Sequence, residues 1–155
     1  MKILDFLSQS CISTDLKGKT KKEVIAELVE ILVAGNKKLQ LKNTDDVVDA
    51  ILKRENAGST GIGQGVAIPH AKSEHVSKTI ACLGISKAGI DFNSLDGELV
   101  YIFFLMVAPP ESISEHLQII AKISRLLKDK FFRQSLRDAN APLEIIKIIE
   151  EEDEL

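Results

Sequence analysis

Residues 54–70 read RENAGSTGIGQGVAIPH, from Arg54 to His70, and this stretch decides how the rest of the chain is interpreted. Four of the eight residues at positions 58–65 are glycine. Glycine is costly to order, so such a cluster predicts positive φ angles or a close approach of the backbone to another group. Backbone N–H groups unshielded by side chains, with the hydroxyls of Ser59 and Thr60 beside them, predict a loop that can cradle an anion.

The four residues from Val66 to Pro69 are apolar and are followed by a single imidazole, His70. A short apolar run of this kind is typical of a buried strand, which Pro69 is expected to end. A neutral imidazole attacks phosphorus near pH 7, and the P–N bond that forms is labile enough to pass the group on. We therefore interpret the segment as a site that holds a phosphoryl group on His70.

The run from Ser59 to Gly63, together with Ile68-Pro69-His70, resembles the active-site signature of the fructose–mannitol type of enzyme IIA of the bacterial phosphotransferase system. The nitrogen-regulatory proteins of that family share the signature, and the resemblance covers nearly the whole chain. It implies a phosphotransferase component, with His70 accepting a phosphoryl group from HPr or its nitrogen-branch counterpart. Such a transfer needs positioning and charge neutralisation, and neither a metal nor another cofactor is expected.

The resemblance also implies roles for His116 and Arg54. His116-Leu117-Gln118 follows a buried strand, as the family's second active-site histidine does, and Arg54 stands where the family has an active-site arginine. In the first turn of a helix the dipole disfavours a protonated imidazole, so a neutral His116 can offer an N–H to a phosphate oxygen. The planar guanidinium group of Arg54, with its several N–H donors, also suits binding to phosphate.

Other polar residues near His70 are less specific. We expect Ser59, Thr60 and Gly61 to bind phosphate oxygens, although the two hydroxyls fit a role in shaping the turn just as well. Lys72, two residues after His70, matches the fructose and nitrogen-regulatory members at this position, and we expect it to face a partner or a phosphate. His75 is interpreted as a surface residue.

Composition narrows the class of protein. The chain has 155 residues, of which 45% are hydrophobic and 28% charged, and its net charge is −3. These values predict one globular domain over residues 1–155, and they give no reason to expect binding to nucleic acid or to an anionic membrane. The apolar run from Leu99 to Ala108 is too short to span a bilayer, and Cys11 and Cys82 fit reduced core residues, so we expect a cytoplasmic protein.

Hydrophobic periodicity predicts alternating strands and helices. The predicted strands cover residues 11–13, 79–86, 89–92 and 100–107, and the predicted helices begin near Ile3, Thr20, Asn43, Ser112, Phe131 and Pro142. Thr20 and Ser112 each open a capping box, and the acidic residues 150–155 should fray because they oppose the helix dipole. The pattern predicts an α/β domain with helices on both faces of the sheet, and the family resemblance implies that the central sheet is mixed.

The helix after Ser112 has an amphipathic pattern. Its apolar stripe is predicted to consist of Ile113, Leu117, Ile120, Ile123 and Leu127.

Two other types of site fit the sequence poorly. The run from Gly61 to Gly65 resembles a dinucleotide fingerprint, but that motif must follow a strand and open a helix, whereas this one follows a predicted helix. A metal site built on His70 and His116 would lack a third good ligand, since neither cysteine belongs to a ligand-like pair.

The next step after His70 has two interpretations. In sugar uptake, the resemblance implies transfer to a cysteine of an enzyme IIB domain, which we expect on another protein because Cys11 and Cys82 lack a phosphate-loop setting. The alternative is a nitrogen-type regulatory module whose phosphorylation state controls the binding of a target protein. The sequence indicates neither the sugar nor the oligomeric state.

Overall fold

The computed structural model describes residues 2–37 and 44–153. A single 3₁₀ turn at Ile3–Asp5 precedes the regular elements. The strands are β1 (Leu7–Ser13), β2 (Gly61–Gly63), β3 (Val66–Ala67), β4 (His70–Lys72), β5 (Ile80–Ile90) and β6 (Val100–Ala108). The helices are α1 (Lys21–Gly35), α2 (Thr44–Asn56), α3 (Ile113–Leu126), α4 (Lys130–Asp138) and α5 (Pro142–Asp153).

The six strands form one mixed sheet, which confirms the fold class implied by the resemblance. The order is β1-β5-β6-β3-β2, with β4 also paired to β6. Strand β6 is antiparallel to β5 and parallel to both β3 and β4. Eight of its nine residues are buried, as the absence of polar alternation in its sequence predicts for a strand covered on both faces.

Helices cover both faces of the sheet, and the alternation along β5 shows how. The Cys82 thiol lies 3.2 Å from the Leu28 carbonyl oxygen of α1. The next side chain, Leu83, points the other way and packs with Phe104 of β6 against Ile123 of α3 and Ile149 of α5. Successive side chains in a strand face opposite sides, so β5 separates two apolar layers.

Strand β5 is longer than its sequence predicts. The two strands expected over residues 79–86 and 89–92 are one strand, with a register shift between Ile85 and Ile90 against β6. Gly89, at a φ of +83°, lies in this irregular part. A bulge of this type lets a strand bend without ending, which a reading of local turn signals misses.

The predicted helix caps differ in their outcome. The Thr20 hydroxyl accepts a hydrogen bond from the Glu23 N–H of α1, as predicted. The Ser112 side chain makes no such bond at the start of α3, so the second predicted capping box is wrong. Asp129, which was not predicted as a cap, accepts from two backbone N–H groups of α4. The predicted start at Asn43 lies outside the described residues.

The predicted fraying of the acidic C-terminus is wrong for residues 150–153, because α5 continues to Asp153. The Asp153 carboxylate accepts from the Ile3 N–H at 2.7 Å and lies 2.7 Å from Lys122 Nζ. Burial alone would raise the pKa of Asp153, but Lys122 and the Ile3 amide outweigh it and lower the pKa below its ordinary value. Tertiary partners therefore offset the unfavourable helix dipole.

Within residues 2–37 and 44–153, no helix combines the length and the apolar character that crossing a bilayer requires.

Candidate active site around His70 and His116

The glycine-rich segment forms a hairpin. Strands β2 and β3 pair antiparallel, and Gln64 and Gly65 connect them with φ angles of 59° and 80°. Positive φ at both central residues defines a type I′ turn, the connection whose twist matches a two-residue hairpin. The glycines therefore serve this turn and a close approach at Gly61, where a Cβ would collide with the Ser94 side chain. The segment is a hairpin rather than the loop that the sequence predicted.

Pro69 interrupts the strand without ending the path of the chain along β6. Strand β3 pairs with Ile102 and Phe103 of β6, and β4 resumes beyond Pro69 with His70 opposite Met106. The residue before a proline is held in an extended conformation, so the backbone stays alongside the central strand. His70 thereby begins a strand rather than following one.

The His70 ring is fixed by a short local hydrogen bond. Its Nδ1 lies 2.8 Å from the carbonyl oxygen of Ile68. A carbonyl oxygen can only accept, so Nδ1 carries the proton and the neutral ring keeps its lone pair on Nε2. Burial lowers the pKa of His70 below its ordinary value; the Ile68 carbonyl raises it, and the positive charge of Arg54 lowers it again. Near pH 7 the neutral form of the ring is therefore favoured.

His116 lies against His70, with their ring centroids 5.2 Å apart and their planes inclined by 58°. Its side chain is buried, with 3% exposed, yet neither ring nitrogen has a hydrogen-bond partner among the described residues. Burial, followed by the proximity of His70 and Lys72, lowers the pKa of His116 to about 4. A neutral imidazole therefore offers one N–H donor and one acceptor at this point.

The buried face of α3 matches the predicted stripe only in part. Ile123 and Leu127 are buried and Ile120 is partly buried, as predicted. His116 and Ile119 are also buried, whereas Ile113 is 52% exposed and Leu117 is 61% exposed. The apolar side of this helix is broad, so the periodic pattern alone did not identify which of its residues pack on the sheet. The orientation of α3 on the sheet buries His116 and leaves the apolar side chains of Ile113 and Leu117 on the surface beside it.

A cavity of about 490 Å³ lies where these elements meet. Its lining combines the two histidines with the end of α2, β4 and the start of α3: Ala50, Lys53, Arg54, Ala57, His70, Ala71, Lys72, His116 and Leu117. Three of these side chains are cationic, and no carboxylate occurs among the described residues that line the cavity. The cavity is a cationic pocket in a chain of net charge −3, which suits an anionic ligand.

Arg54 ends α2 at the edge of this pocket. Its side chain is exposed, and Nη1 donates to the Gly58 carbonyl oxygen at 2.7 Å. The remaining guanidinium N–H groups are available on a side chain that the loop already holds in place.

The polar groups of Ser59, Thr60 and Gly61 have partners inside the protein. Ser59 Oγ donates to the Phe92 carbonyl oxygen at 2.7 Å and accepts from the Gly61 N–H at 3.0 Å. Thr60 is buried, and its hydroxyl and N–H both donate to the Glu55 carboxylate. None of the three residues lines the pocket. The structure therefore favours the alternative in which these residues shape the turn over direct contact with phosphate.

Comparison with known proteins decides the family. The profile of the family described as "Phosphoenolpyruvate-dependent sugar phosphotransferase system, EIIA 2" matches residues 5–152. The chain belongs to this family. The sequence-based resemblance to fructose–mannitol enzyme IIA is thereby confirmed.

Relatives of this EIIA-family chain fall into two named groups. It is 37% identical over 153 residues to the PTS system fructose-specific EIIABC component of Bacillus subtilis, covering 99% of this chain and 24% of that protein. The chain thus spans about a quarter of that relative. It is also 34% identical to a nitrogen regulatory protein of Bradyrhizobium diazoefficiens, with 96% of each chain covered. The crystal structure of the nitrogen regulatory protein IIA-Ntr from Neisseria meningitidis superposes with a TM-score of 0.86 at 29% identity, covering 95% of this chain and 98% of that one.

Two residues near the EIIA site escaped the sequence analysis. Lys53 lines the pocket, and its place beside Arg54 in the last turn of α2 was the available signal. Glu55 is 4% exposed and binds Thr60, but no sequence pattern distinguishes a buried carboxylate from a surface one at a helix end.

The remaining histidine and the cysteines lie away from the pocket. His75 is exposed, as predicted, with Nε2 3.3 Å from Asp46 Oδ2. Cys11 and Cys82 are buried free thiols. In the parts of the chain that the structure describes, no group of three or more His, Cys, Asp or Glu side chains could hold a metal ion.

Proposed function

We propose that this chain is a histidine phosphocarrier of the phosphoenolpyruvate-dependent phosphotransferase system and that His70 Nε2 is its phosphoryl acceptor. The observation that carries the proposal is the hydrogen bond from His70 Nδ1 to the Ile68 carbonyl, in a ring that lines the cationic pocket. The bond holds the proton on Nδ1 and leaves the nucleophilic lone pair on Nε2. Membership of the EIIA family supports the same reaction class.

In the proposed step, the Nε2 lone pair forms a P–N bond as the bond from phosphorus to the donor histidine breaks. The electron pair of the broken bond returns to the donor nitrogen. The Nδ1 proton stays on the His70 ring, hydrogen-bonded to the Ile68 carbonyl, so no separate base is needed. A ring that keeps this proton is a better leaving group, which suits a group that must be transferred again.

The pocket supplies partners for the phosphoryl oxygens. His116 offers a neutral N–H whose burial without a partner is otherwise costly, by roughly 1–3 kcal/mol for an unsatisfied polar group. Arg54 offers guanidinium donors, and Lys53 and Lys72 add positive charge. Fixed donors and cations that meet developing negative charge are the main means by which proteins accelerate phosphoryl transfer.

The proposed donor is an HPr-like phosphocarrier, and the proposed acceptor in sugar uptake is a cysteine of an enzyme IIB domain. The Bacillus subtilis relative is named as an EIIABC component, which supports an EIIB partner. Ile113 and Leu117 expose apolar surface beside His116, where partners that dock in turn would make contact. We place both reactions in the cytoplasm.

A regulatory role is the second candidate, because the Bradyrhizobium and Neisseria relatives are named nitrogen regulatory proteins. A phosphoryl group on His70 would add a charge of about −2 next to the exposed Leu117. That change is large enough to switch the binding of a target protein. The two roles share the same site and the same first step.

The test is transfer from phosphoenolpyruvate through purified enzyme I and an HPr homologue to the wild-type chain, to His70→Ala and to His75→Ala. We expect acid-labile label on the wild type and on His75→Ala and none on His70→Ala, with mass spectrometry locating the phosphate on His70. His75 is the matched control, because its exposed ring lies outside the pocket. Label that persists on His70→Ala, or a wild type that none of several donor homologues labels, would refute the proposal.

A further inference from the structure

We propose that Glu55 is a positioning residue for His70: through Thr60 and Ile68, its carboxylate fixes the orientation of the His70 ring and the nitrogen that carries the proton. The inference rests on the proposed function of His70 and adds a residue outside the pocket to it. Three successive contacts connect Glu55 to the His70 ring: Glu55 to Thr60, Thr60 to Ile68, and Ile68 to His70.

The first contacts join Glu55 to Thr60. The two Glu55 carboxylate oxygens accept the Thr60 N–H at 2.7 and 2.9 Å, and the Thr60 hydroxyl also donates to both. Both residues are buried, at 4% and 5% exposed. Charge-assisted hydrogen bonds in a buried setting are strong and directional, so they hold the Thr60 backbone in one orientation.

The second step runs through the backbone. The Thr60 carbonyl oxygen accepts the Ile68 N–H at 3.1 Å, and the carbonyl oxygen of the same Ile68 accepts His70 Nδ1–H at 2.8 Å. Ile68 also precedes Pro69, which restricts its backbone to the extended region. A displacement of Thr60 is therefore expected to move Ile68, and with it the carbonyl that determines which His70 nitrogen keeps its proton.

Lys21 connects the other side of Glu55 to the rest of the fold. Lys21 Nζ, from the first turn of α1, lies 3.8 Å from Glu55 Oε2 and donates to the Phe92 carbonyl oxygen at 3.3 Å. The same carbonyl accepts Ser59 Oγ at 2.7 Å. The buried carboxylate thus has a cationic partner, and the loop from Glu55 to Thr60 is held against two other elements.

The arrangement also explains the hydroxyl at position 60. A buried carboxylate with only backbone partners would keep unpaired acceptor capacity, which is costly. The Thr60 hydroxyl supplies the additional donor. Serine preserves that donor and valine removes it with little change of shape, so the two substitutions separate hydrogen bonding from packing.

The test compares Glu55→Gln, Thr60→Val and Thr60→Ser with the wild type. The first readout is ¹⁵N NMR of the His70 ring in the unphosphorylated protein, at a pH where the ring is neutral. In the wild type we expect Nδ1 to be protonated and Nε2 to be unprotonated. In Glu55→Gln and Thr60→Val we expect both ring nitrogens to shift towards the average of the two tautomers, and in Thr60→Ser we expect the wild-type pattern.

The second readout is the rate of phosphorylation by a phospho-HPr homologue. Misplacement of a reacting group by about 1 Å can cost about a hundredfold in rate, and we expect a loss of about ten- to a hundredfold at saturating donor for Glu55→Gln and Thr60→Val. The donor concentration at half-saturation should be unchanged, because neither side chain lines the pocket. Thr60→Ser should retain the wild-type rate.

Glu27→Gln is the matched control. The Glu27 carboxylate also accepts backbone N–H groups of a nearby loop, those of Lys17 and Gly18, but no contact connects it to His70. It should change neither the His70 spectrum nor the rate. If Glu55→Gln fails to fold, the two Thr60 variants still decide the question.

Folded Glu55→Gln and Thr60→Val proteins with a wild-type His70 tautomer and a wild-type rate would overturn the inference and leave Glu55 as a loop anchor only. The NMR measurement needs no phosphoryl donor. A wild type that shows the fixed tautomer but accepts no phosphoryl group would therefore refute the proposed function while the positioning role stands.

Discussion

The polar groups on the two sides of the pocket differ in whether they have hydrogen-bond partners. On the side of residues 54–70, Arg54 and His70 line the pocket, Glu55 and Thr60 lie outside it, and each of these side chains has a hydrogen-bond partner within the protein. On the side of α3, Ser112 makes no capping bond, and neither ring nitrogen of His116, which lines the pocket, has a partner among the described residues.

This difference indicates that the polar groups on the two sides have different roles. A hydrogen bond within the protein holds a side chain in place, since it removes conformations that the group would otherwise sample. Unpaired donors that are buried cost stability and persist where a ligand is there to use them part of the time. The partners on the side of residues 54–70 hold the His70 ring in one orientation, whereas the nitrogens of His116 have no partner among the described residues.

The largest expected effect is a loss of stability at low pH caused by His116. The pKa of His116 is about 4 in the folded protein against 6.5 for the free side chain, so below pH 6.5 the unfolded chain binds a proton that the folded chain does not. The free energy of unfolding should therefore fall as the pH drops from about 6.5 to about 4, by up to about 3 kcal/mol from this residue. The pKa of His70 is also lowered, and its contribution has the same sign.

Urea unfolding between pH 7 and pH 4.5 measures this change. The variant His116→Leu should lose most of the slope over that interval, and an unaltered slope in the variant would show that His116 does not cause it.

The same substitution should separate stability from activity. Leucine fills the volume of His116 without buried polar atoms, so His116→Leu should raise the free energy of unfolding at pH 7 by roughly 1–2 kcal/mol. Phosphorylation of His70 should slow by about a hundredfold, which is the usual loss when one donor to the transferred group is removed.

His75→Leu is the control for His116→Leu, and it should change neither quantity, because its ring is exposed. Equal stabilities of the wild type and His116→Leu would mean that the unpaired nitrogens cost nothing.

On the side of residues 54–70, Arg54→Lys should have a smaller effect than His116→Leu. Lysine keeps the positive charge but loses the planar fork that holds Gly58 and presents further N–H groups at once. We expect the rate of phosphorylation to fall about tenfold with little change in stability, because Arg54 is exposed. Lys53→Arg is the matched exchange on the neighbouring residue and should be close to neutral. The two measurements are the single-turnover rate and the urea midpoint, and equal rates for both variants would remove Arg54 from the site.

The smallest effects concern the helix caps. Thr20→Ala should lower the free energy of unfolding by about 1 kcal/mol, because the Thr20 hydroxyl caps α1. Ser112→Ala should change it by less than about 0.5 kcal/mol, because Ser112 makes no cap bond. Chemical denaturation of both variants gives the comparison. A loss at Ser112 as large as the loss at Thr20 would show that the start of α3 is capped in solution.

Residues marked by a local sequence pattern were predicted, whereas those that depend on tertiary contacts were not. The sequence identified His70, His116 and Arg54, all of which line the pocket, because the signature residues and the His-Leu-Gln triplet are local patterns. It did not identify Glu55, because the burial of this carboxylate and its contact with Lys21 of α1 depend on the tertiary structure. It assigned Ser59 and Thr60 to phosphate and to the turn with equal weight, and only their partners Phe92 and Glu55 favour the turn.

Local sequence by itself determined the elements: the cap and apolar face of α1, the unbroken apolar run of β6, and a single imidazole after Ile68-Pro69. These depend on propensities and periodicities within a few residues. The tertiary structure alone decided which face of α3 packs on the sheet, and hence that His116 is buried beside His70. It also decided that α5 reaches Asp153, which Ile3 and Lys122 hold from a distance in sequence. Periodicity shows that a helix has an apolar side, but when that side is broad, only the surface against which the helix packs selects the residues that are buried.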